Sequence, residues 1–148
     1  LNLAVYGGHG DAPRIVVAPA NINDCLYDTI GAFNLAERYQ TPVILLSDQS
    51  MAMRAQALPP PDLQSLELVS RALADHEGEA YRRYQFTESG VSPLSLPGSG
   101  DGSFYTITGL AHDEHGAPST NDGPLAAAMM DKRYRKPQAA RLEDGPQS

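Results

Sequence analysis

The chain has 148 residues, of which 41% are hydrophobic, so it is about one domain long and has enough apolar side chains to bury a core. It carries 18 acidic and 11 basic side chains, which gives a formal net charge of −7. Its only lysines are Lys132 and Lys136. This acidic balance argues against an electrostatic grip on a phosphate backbone, so we expect no nucleic-acid partner.

Cysteine content and hydropathy narrow the class further. Cys25 is the single cysteine, which excludes an intramolecular disulfide and any cysteine-ligated iron-sulfur cluster or structural zinc supplied by this chain alone. No signal peptide or bilayer-spanning apolar stretch is visible, so we expect a cytoplasmic protein with no membrane partner. The chain begins without a methionine on the apolar LNLAVY, and we expect it to be a piece of a longer protein.

The first notable segment is the glycine-rich YGGHGDAPR at residues 6–14. It lacks the G-x-G-x-x-G spacing of a dinucleotide loop, because Pro13 stands where the third glycine would be, and it precedes a strand instead of following one. A phosphate cradle is therefore not predicted. The glycines allow a ligand to approach the backbone beside His9, whereas a lone histidine in a turn is more often structural.

A strand, a helix and a second strand are predicted next. The β-branched run at 14–20 and the apolar run at 41–49 are typical of buried strands. Between them, apolar residues recur every three or four positions, Asn21 can cap a helix, and Asp24 places an acid in its first turn. Two unbroken apolar strands joined by a helix predict a parallel sheet covered on both faces.

The later part of the chain differs in composition, with more Pro, Gly and Ser and fewer unbroken apolar runs. Three consecutive prolines at 59–61 indicate an extended linker, and the Gly, Pro and Ser content of 89–103 indicates a loop. The alternation in 104–110 predicts a strand. A helix is predicted over 123–136, capped by Asn121 or Asp122, with Pro124 in its first turn and a basic end.

Polar residues at the end of the second predicted strand are a candidate site. Ligands of open α/β sheets usually bind beyond the carboxyl ends of the strands, where Ser47, Asp48 and Gln49 lie. We place Asp48 next to a substrate or cofactor cavity on this ground. The alternative is that Ser47 and Asp48 cap a helix beginning near Met51.

Two further clusters carry charge or possible metal ligands. HDEH at 112–115 brings two histidines and two carboxylates together, which suits a metal only if the segment turns sharply, and a solvated turn is the simpler interpretation. RRY at 82–84 and KRYRK at 132–136 could bind anions or an acidic partner surface. A charge run of this kind is more often a solvated face.

Taken together, these segments resemble a known family. The order and spacing of several pieces are similar to the alpha subunit of 2-oxoacid:ferredoxin oxidoreductases of the 2-oxoglutarate synthase type. The matching pieces are residues 1–49, GVSPLSLPG at 90–98, TGLAHDEHG at 108–116 and DKRYRK at 131–136. The chain departs from the family pattern at Ala111, where an acid is usual, and at Leu125, near where a histidine is common.

The resemblance implies a thiamine diphosphate enzyme. Such enzymes decarboxylate a 2-oxoacid oxidatively with coenzyme A and pass electrons through an iron-sulfur cluster to ferredoxin. The resemblance places this chain late in the pyrimidine-binding domain, after the segments that supply the glutamate for the cofactor and the substrate-carboxylate contacts. A beta subunit would hold the diphosphate, its Mg²⁺ and the cluster, so we expect this chain to hold no catalytic residue or metal and to be inactive alone.

The resemblance also suggests which residues line the cavity. Gly8, His9 and Gly10 are expected near the cofactor cavity in a positioning role, without taking part in bond making. His112 and Asp113 are expected to line the substrate pocket or a subunit contact.

The predicted fold is α/β, a partial doubly wound parallel sheet followed by a loop-rich segment and a C-terminal helix. Three regions are predicted. They are 1–56 in the pyrimidine-binding domain, 57–103 as linker and loop, and 104–148 as strand, polar loop, helix and disordered tail.

Two other functions fit the residues. One is a non-catalytic α/β interaction or assembly domain. The other is a small metal-dependent hydrolase that uses His9, Asp48, His112 and Asp113.

Overall fold

A computed structural model of the chain describes residues 1–74, 81–98 and 103–143, and the predicted disordered tail after 143 lies outside them. The chain divides into two compact units, Leu1–Ser70 and Arg71–Ser148. Each unit is described by itself below. The three-region division at 56/57 and 103/104 stays a prediction.

The first unit contains the predicted strand–helix–strand arrangement. Its elements are α1 (Asn2–Tyr6), β1 (Ile15–Val17), α2 (Ile22–Tyr39), β2 (Val43–Leu45) and α3 (Gln49–Met53). Strands β1 and β2 pair in parallel, with Ile15 opposite Val43 and Val17 opposite Leu45. The α/β class and the parallel pairing are therefore confirmed, whereas α1 was not predicted.

Local sequence signals explain the ends of α2. The Asn21 side chain accepts a hydrogen bond from the Asp24 backbone N–H at 3.0 Å and donates one to the Asp24 carboxylate at 2.7 Å. The first of these bonds satisfies one free backbone N–H of the first turn, as predicted for an N-cap, and the second holds the two side chains together. At the other end, Gln40 adopts a left-handed conformation with φ 46°, which reverses the chain toward β2.

The junction between α2 and β2 also holds the start of β1. The buried Thr41 hydroxyl donates to the Pro13 carbonyl at 3.1 Å, and the Ile15 N–H donates to the Pro42 carbonyl at 3.0 Å. Thr41 and Pro42, the two residues that precede β2, therefore fix the backbone on both sides of Arg14. The glycine-rich loop enters β1 through this fixed point.

The segment after the three prolines lies along α2. The Asn34 side chain donates to the Glu67 carbonyl at 2.8 Å and accepts from the Val69 N–H at 2.9 Å. One amide thus satisfies both a donor and an acceptor of an otherwise irregular backbone. The residues from 54 to 62 are irregular, which agrees with the linker that the prolines predict.

The second unit has one helix and no named strand among its described residues, 71–74, 81–98 and 103–143. The helix is α4 (Gly123–Glu143), and isolated bridges join Leu73 to Leu94 and His112 to Pro118. The predicted strand at 104–110 is wrong. Phe104 is 85% exposed and Ile107 is 79% exposed, so the alternating side chains have neither a covering layer nor a neighbouring ladder to stabilise them.

Helix α4 begins as predicted but runs further. The Asp122 carboxylate accepts from the Leu125 N–H at 3.0 Å, so Asp122 is the capping residue of the two that were considered. The helix continues past Pro137 to Glu143, beyond the predicted end at 136. Proline removes one backbone donor from the helix, and burial of Ala140 in the following turn is a packing contribution that opposes this cost.

The buried face of α4 explains why its sequence pattern is misleading. Met129, Lys132 and Ala140 are buried and, with Lys136, follow the i, i+3, i+7, i+11 spacing of one helix face. Two of these four positions are lysines. A search for an apolar stripe therefore misses this face, and the basic run is interpreted as a solvated face. Among the described residues, no helix has the length and apolar character needed to cross a membrane.

Much apolar surface remains uncovered in the first unit. Its two strands are no more than half-buried, so the predicted covering of both faces is not found in the described residues. In this unit several large apolar side chains are strongly exposed. Examples are Leu1 (74%), Leu3 (81%), Tyr6 (80%), Phe33 (70%) and Met53 (81%).

We therefore predict that the 148-residue chain alone is marginally stable. Its free energy of unfolding should be about 2 kcal/mol or less, because a two-stranded sheet with exposed edges and faces buries little apolar surface. Urea denaturation followed by circular dichroism, with sedimentation velocity to detect aggregation, measures this. A sharp, cooperative transition of a monomer at high urea would contradict the prediction.

Candidate functional site

In the first unit, the glycine-rich loop folds back on its own arginine. Gly8 lies so close to the Arg14 guanidinium that a Cβ at position 8 would collide with its terminal nitrogen. Gly10 has φ 78°, a conformation that side chains rarely adopt. His9, between the two glycines, is exposed. The sequence thus uses glycine for close approach at one position and for a left-handed turn at the other.

Asp48 has the capping role that was its alternative interpretation. Its carboxylate accepts from the Met51 N–H at 2.7 Å and begins α3. It lies beyond the carboxyl end of β2, whereas the glycine-rich loop enters β1 at the amino end. Since β1 and β2 are parallel, the loop and Asp48 lie at opposite ends of the strand pair. The structure does not bring these predicted site residues together.

In the second unit, Asp113 organises a tight turn. Its Oδ1 accepts from the backbone N–H groups of His115 and Ala117, both at 2.9 Å. Its own N–H donates to the Ala117 carbonyl at 3.0 Å. Gly116 completes the turn with φ 87°, and a Cβ there would collide with the Thr106 carbonyl. The described contacts of Asp113 are thus those of a turn-forming residue.

Glu114 joins this turn to the segment around 82–86. Its Oε1 accepts from the Phe86 N–H at 2.9 Å, and its carbonyl accepts from the Tyr84 N–H at 2.9 Å. Its Oε2 lies 3.3 Å from Nη1 of Arg82. Sequence reasoning missed this residue as an individual contributor. The signal that could have found it is the pairing of opposite charges, since HDEH at 112–115 contains this acid and RRY at 82–84 contains two arginines.

His112 packs on an aromatic ring beside the same turn. Its ring centroid is 4.1 Å from that of Tyr84, and its Nδ1 lies 2.9 Å from the Asp113 carbonyl. His115 is exposed. Over the described ranges 1–74, 81–98 and 103–143, no three His, Cys, Asp or Glu side chains are grouped so that they could hold a metal ion. The hydrogen bonds of Asp113 to the backbone of His115 and Ala117 support the turn interpretation of HDEH.

The basic run of α4 fastens the turn at 87–91. The Lys132 ammonium donates to the Gly90 carbonyl at 3.0 Å, and Arg135 donates to the Thr87 carbonyl at 3.1 Å. Gly90 has φ 81°, and a Cβ there would collide with the Lys132 carbonyl. Lys132 is only 4% exposed, so the solvated-face interpretation is wrong for this residue.

Burial shifts the titration of both lysines. The pKa of Lys132 is lowered to about 8, mainly by burial and also by the positive charges of Lys136, Arg83 and Arg135, while Glu114 opposes the shift. Burial likewise lowers the pKa of Lys136 to about 8, with smaller effects from Arg83 and Arg133. On this face of α4, several positive charges lie close together and are partly shielded from water, and both conditions disfavour the charged form of a lysine.

Comparison with known sequences identifies the family. Residues 2–132 match the family described as "Pyruvate flavodoxin/ferredoxin oxidoreductase, thiamine diP-bdg". The chain belongs to this family. The resemblance seen in the sequence is thus confirmed, and the α/β unit that contains the glycine-rich loop is part of the family's matched region.

Relatives in this oxidoreductase family are alpha subunits. Subunit alpha of 2-oxoacid:ferredoxin oxidoreductase 2 from Aeropyrum pernix is 42% identical over 135 residues, which cover 90% of this chain and 20% of that protein. The 2-oxoglutarate synthase subunit KorA of Methanothermobacter thermautotrophicus is 32% identical over 119 residues, covering 80% of this chain and 31% of the relative. The chain therefore spans about a fifth to a third of these proteins.

A solved member of the oxidoreductase family has the same fold. The structure is 2-oxoglutarate:ferredoxin oxidoreductase from Magnetococcus marinus with 2-oxoglutarate, coenzyme A and succinyl-CoA bound. It superimposes on this chain with a TM-score of 0.89 at 40% identity, covering all of this chain and 25% of that one. This likeness confirms the predicted fold class.

We predict that Asp113→Ala destabilises the second unit by about 1–3 kcal/mol, because two backbone N–H groups lose their acceptor. Asp113→Asn should destabilise it less, since the amide oxygen can still accept. Thermal denaturation and limited proteolysis of a complete alpha subunit carrying the chain measure the effect. Asp131→Ala, at an exposed position of α4, is the matched control, and equal effects of the two alanine variants would refute the assignment.

We also predict that the stability of the second unit rises between about pH 8 and pH 10. The pKa of Lys132 is about 8 in the folded chain and ordinarily 10.5, so the unfolded chain binds more protons in this window and deprotonation favours folding. Lys132→Met should make the rise measured by denaturation at several pH values smaller, and the rise that remains is expected from Lys136, whose pKa is also lowered to about 8. Arg141→Met, at an exposed position, should leave the slope unchanged, and parallel curves for wild type and Lys132→Met would contradict the prediction.

Proposed function

We propose that this chain is a part of the alpha subunit of a 2-oxoacid:ferredoxin oxidoreductase that acts on 2-oxoglutarate. The reaction would be the coenzyme A-dependent oxidative decarboxylation of the 2-oxoacid to an acyl-CoA, with two electrons passed to ferredoxin. The likeness of the whole chain to the Magnetococcus marinus enzyme, at a TM-score of 0.89, is the observation that carries the proposal. Two matched KorA subunits from Methanothermobacter species support the choice of 2-oxoglutarate.

The cofactors are proposed to be thiamine diphosphate, Mg²⁺ and an iron-sulfur cluster. When bound, thiamine diphosphate would supply the carbanion chemistry needed for decarboxylation. The described residues do not fit its diphosphate–magnesium part, since they contain no group of three suitable ligands and the glycine-rich loop precedes a strand instead of opening a helix. We assign the Mg²⁺ and the cluster mainly to a beta subunit.

We propose that this chain lines part of the substrate and cofactor cavity and contacts other subunits. His9 and Gly10 are exposed in the glycine-rich loop, and we propose that Gly8, His9 and Gly10 lie near the cofactor cavity. His112 and Asp113 are proposed to line the substrate pocket or a subunit contact through the turn they stabilise. Asp48 is retained as a candidate at the carboxyl end of β2.

Exposed apolar surface supports assembly with the rest of an alpha subunit or with a partner protein. Leu3 and Phe33 are strongly exposed in a unit whose strands are half-buried, and such surface is characteristic of covered interfaces. We propose the beta subunit as the protein partner and ferredoxin as the electron acceptor. A cytoplasmic location belongs to the same proposal, because that is where such a ferredoxin would be reduced.

The test is reconstitution of the oxidoreductase. The chain is co-expressed with a matching beta subunit, with and without a supplied N-terminal part of the alpha subunit, and assayed for viologen reduction by 2-oxoglutarate. We expect activity only with both additions and only when coenzyme A is present. Omission of coenzyme A, and pyruvate in place of 2-oxoglutarate, are the controls.

Absence of both association and activity in every combination would contradict the proposed function. It would favour a degenerate or independently acting domain instead. Association without activity would favour the non-catalytic interaction or assembly domain, because it would retain the subunit contact and remove the catalytic assignment.

A further inference from the structure

Residues 87–95, called the strap below, lie against the basic run of α4. Gly90 is buried, and a Cβ there would collide with the Lys132 carbonyl and lie 3.3 Å from Cγ of Lys136. Three further residues of the strap are buried, which are Ser92, Leu94 and Ser95. Because Gly90 has no side chain, the strap lies directly on the part of the helix that carries both lysines.

The two ends of the strap are held differently. At the later end, the Leu94 N–H donates to the Ala72 carbonyl at 2.9 Å. The Ser95 N–H donates to the Tyr81 hydroxyl, also at 2.9 Å. These contacts join neutral groups, whereas the earlier end, around Gly90, is held by the ammonium and guanidinium of α4 described above. The earlier end is thus the one that is held by a lysine.

The charges around Lys132 are mostly of its own sign. Lys136 and Arg135 lie on the same helix, and Arg83 belongs to the segment that precedes the strap. Glu114, from the turn at 112–116, is the acid among these neighbours. A buried ammonium beside three other cations is costly, so the closed strap favours a neutral Lys132, in line with the lowering of its pKa to about 8.

The burial of Lys132 comes from residues of this chain. Its side chain is only 4% exposed, so the rest of an alpha subunit has little of it left to cover. Assembly can therefore add to this burial but cannot return the ammonium to water. Opening of the strap returns it to water, and the group then regains its ordinary affinity for a proton.

We propose that residues 87–95 form a proton-controlled strap, in which protonation of Lys132 opens the strap locally from α4 and loss of that proton closes it. The open state binds more protons than the closed state, so lower pH raises the open population and higher pH lowers it. The helix keeps its backbone hydrogen bonds in both states. The inference does not depend on the proposed function, because it concerns only the strap and α4.

The hydrogen bond from Lys132 to the Gly90 carbonyl acts in the opposite direction. An ammonium is a stronger donor than a neutral amine, so this bond alone would hold the strap more firmly at low pH. It is one contact, and it is set against the burial of the whole charge and the repulsion of three cations. Burial and repulsion therefore decide the direction, and the opposite outcome would have the opposite pH dependence.

The test is hydrogen–deuterium exchange of a complete alpha subunit carrying the chain, from pH 7 to pH 10. Exchange rates of the strap amides, divided by their intrinsic rates at each pH, give the opening constant. We expect this constant to fall about 10- to 100-fold over the range, because the pKa of Lys132 is about 8 when closed and ordinarily 10.5. The amides of 126–130 in α4 are the internal reference and should not follow.

Arginine substitutions remove the titration and keep the charge, because a guanidinium stays protonated throughout this range. Lys132→Arg should therefore make the fall smaller, and the fall that remains is expected from Lys136, whose pKa is also lowered to about 8. Lys132→Arg combined with Lys136→Arg should abolish it. Arg141→Lys, at an exposed position of the same helix, is the matched control and should leave the fall unchanged.

The outcomes separate a proton-controlled strap from a merely structural contact. A fall in the wild-type opening constant that shrinks in Lys132→Arg, with unchanged reference amides, would support the proposal. A constant that is flat, that rises with pH or that falls equally in Lys132→Arg would overturn it. An equal fall at 126–130 would also overturn it, because the whole unit would then be unfolding. This last comparison uses the wild-type protein, so it decides even where a variant fails to fold.

Discussion

The two hydrogen bonds from the Thr41–Pro42 junction to the chain around Arg14 are the constraint on which the first unit depends. They align the amino ends of β1 and β2, and the parallel register from Ile15 opposite Val43 follows from that alignment. They also set where the glycine-rich loop ends. The Arg14 side chain can then lie against Gly8, so the start of the sheet also fixes how the glycine-rich loop is arranged.

The first unit follows closely from its sequence because its signals are local. Asn21 and Asp24 define the start of α2, Asp48 defines the start of α3, and short β-branched runs define the strands. The strand–helix–strand order then leaves parallel pairing as the favoured topology. What the sequence could not supply is the Gly8–Arg14 contact, because it depends on how a loop folds back over six residues.

The second unit follows less well from its sequence because polar contacts between distant segments organise it. Glu114 satisfies backbone donors near Tyr84 and Phe86, and Lys132 satisfies the carbonyl of Gly90. None of these contacts follows a recurring sequence spacing, such as that of a helix cap, so a pattern search cannot find them. The strand expected at 104–110 failed for the same reason, since alternation predicts a pleated surface only when a neighbouring strand is present to pair with it.

Both units use charged side chains as structural ties and leave apolar surface uncovered. The chain spans only about a fifth to a third of its relatives, and we propose that its sheet is completed within an oxidoreductase assembly. Hydrogen–deuterium exchange of the β1 and β2 amides measures this most directly, in the isolated chain and in the assembled alpha–beta complex. We expect weak protection of these amides in the isolated chain and strong protection in the complex, whereas equally strong protection in both would contradict completion of the sheet by assembly.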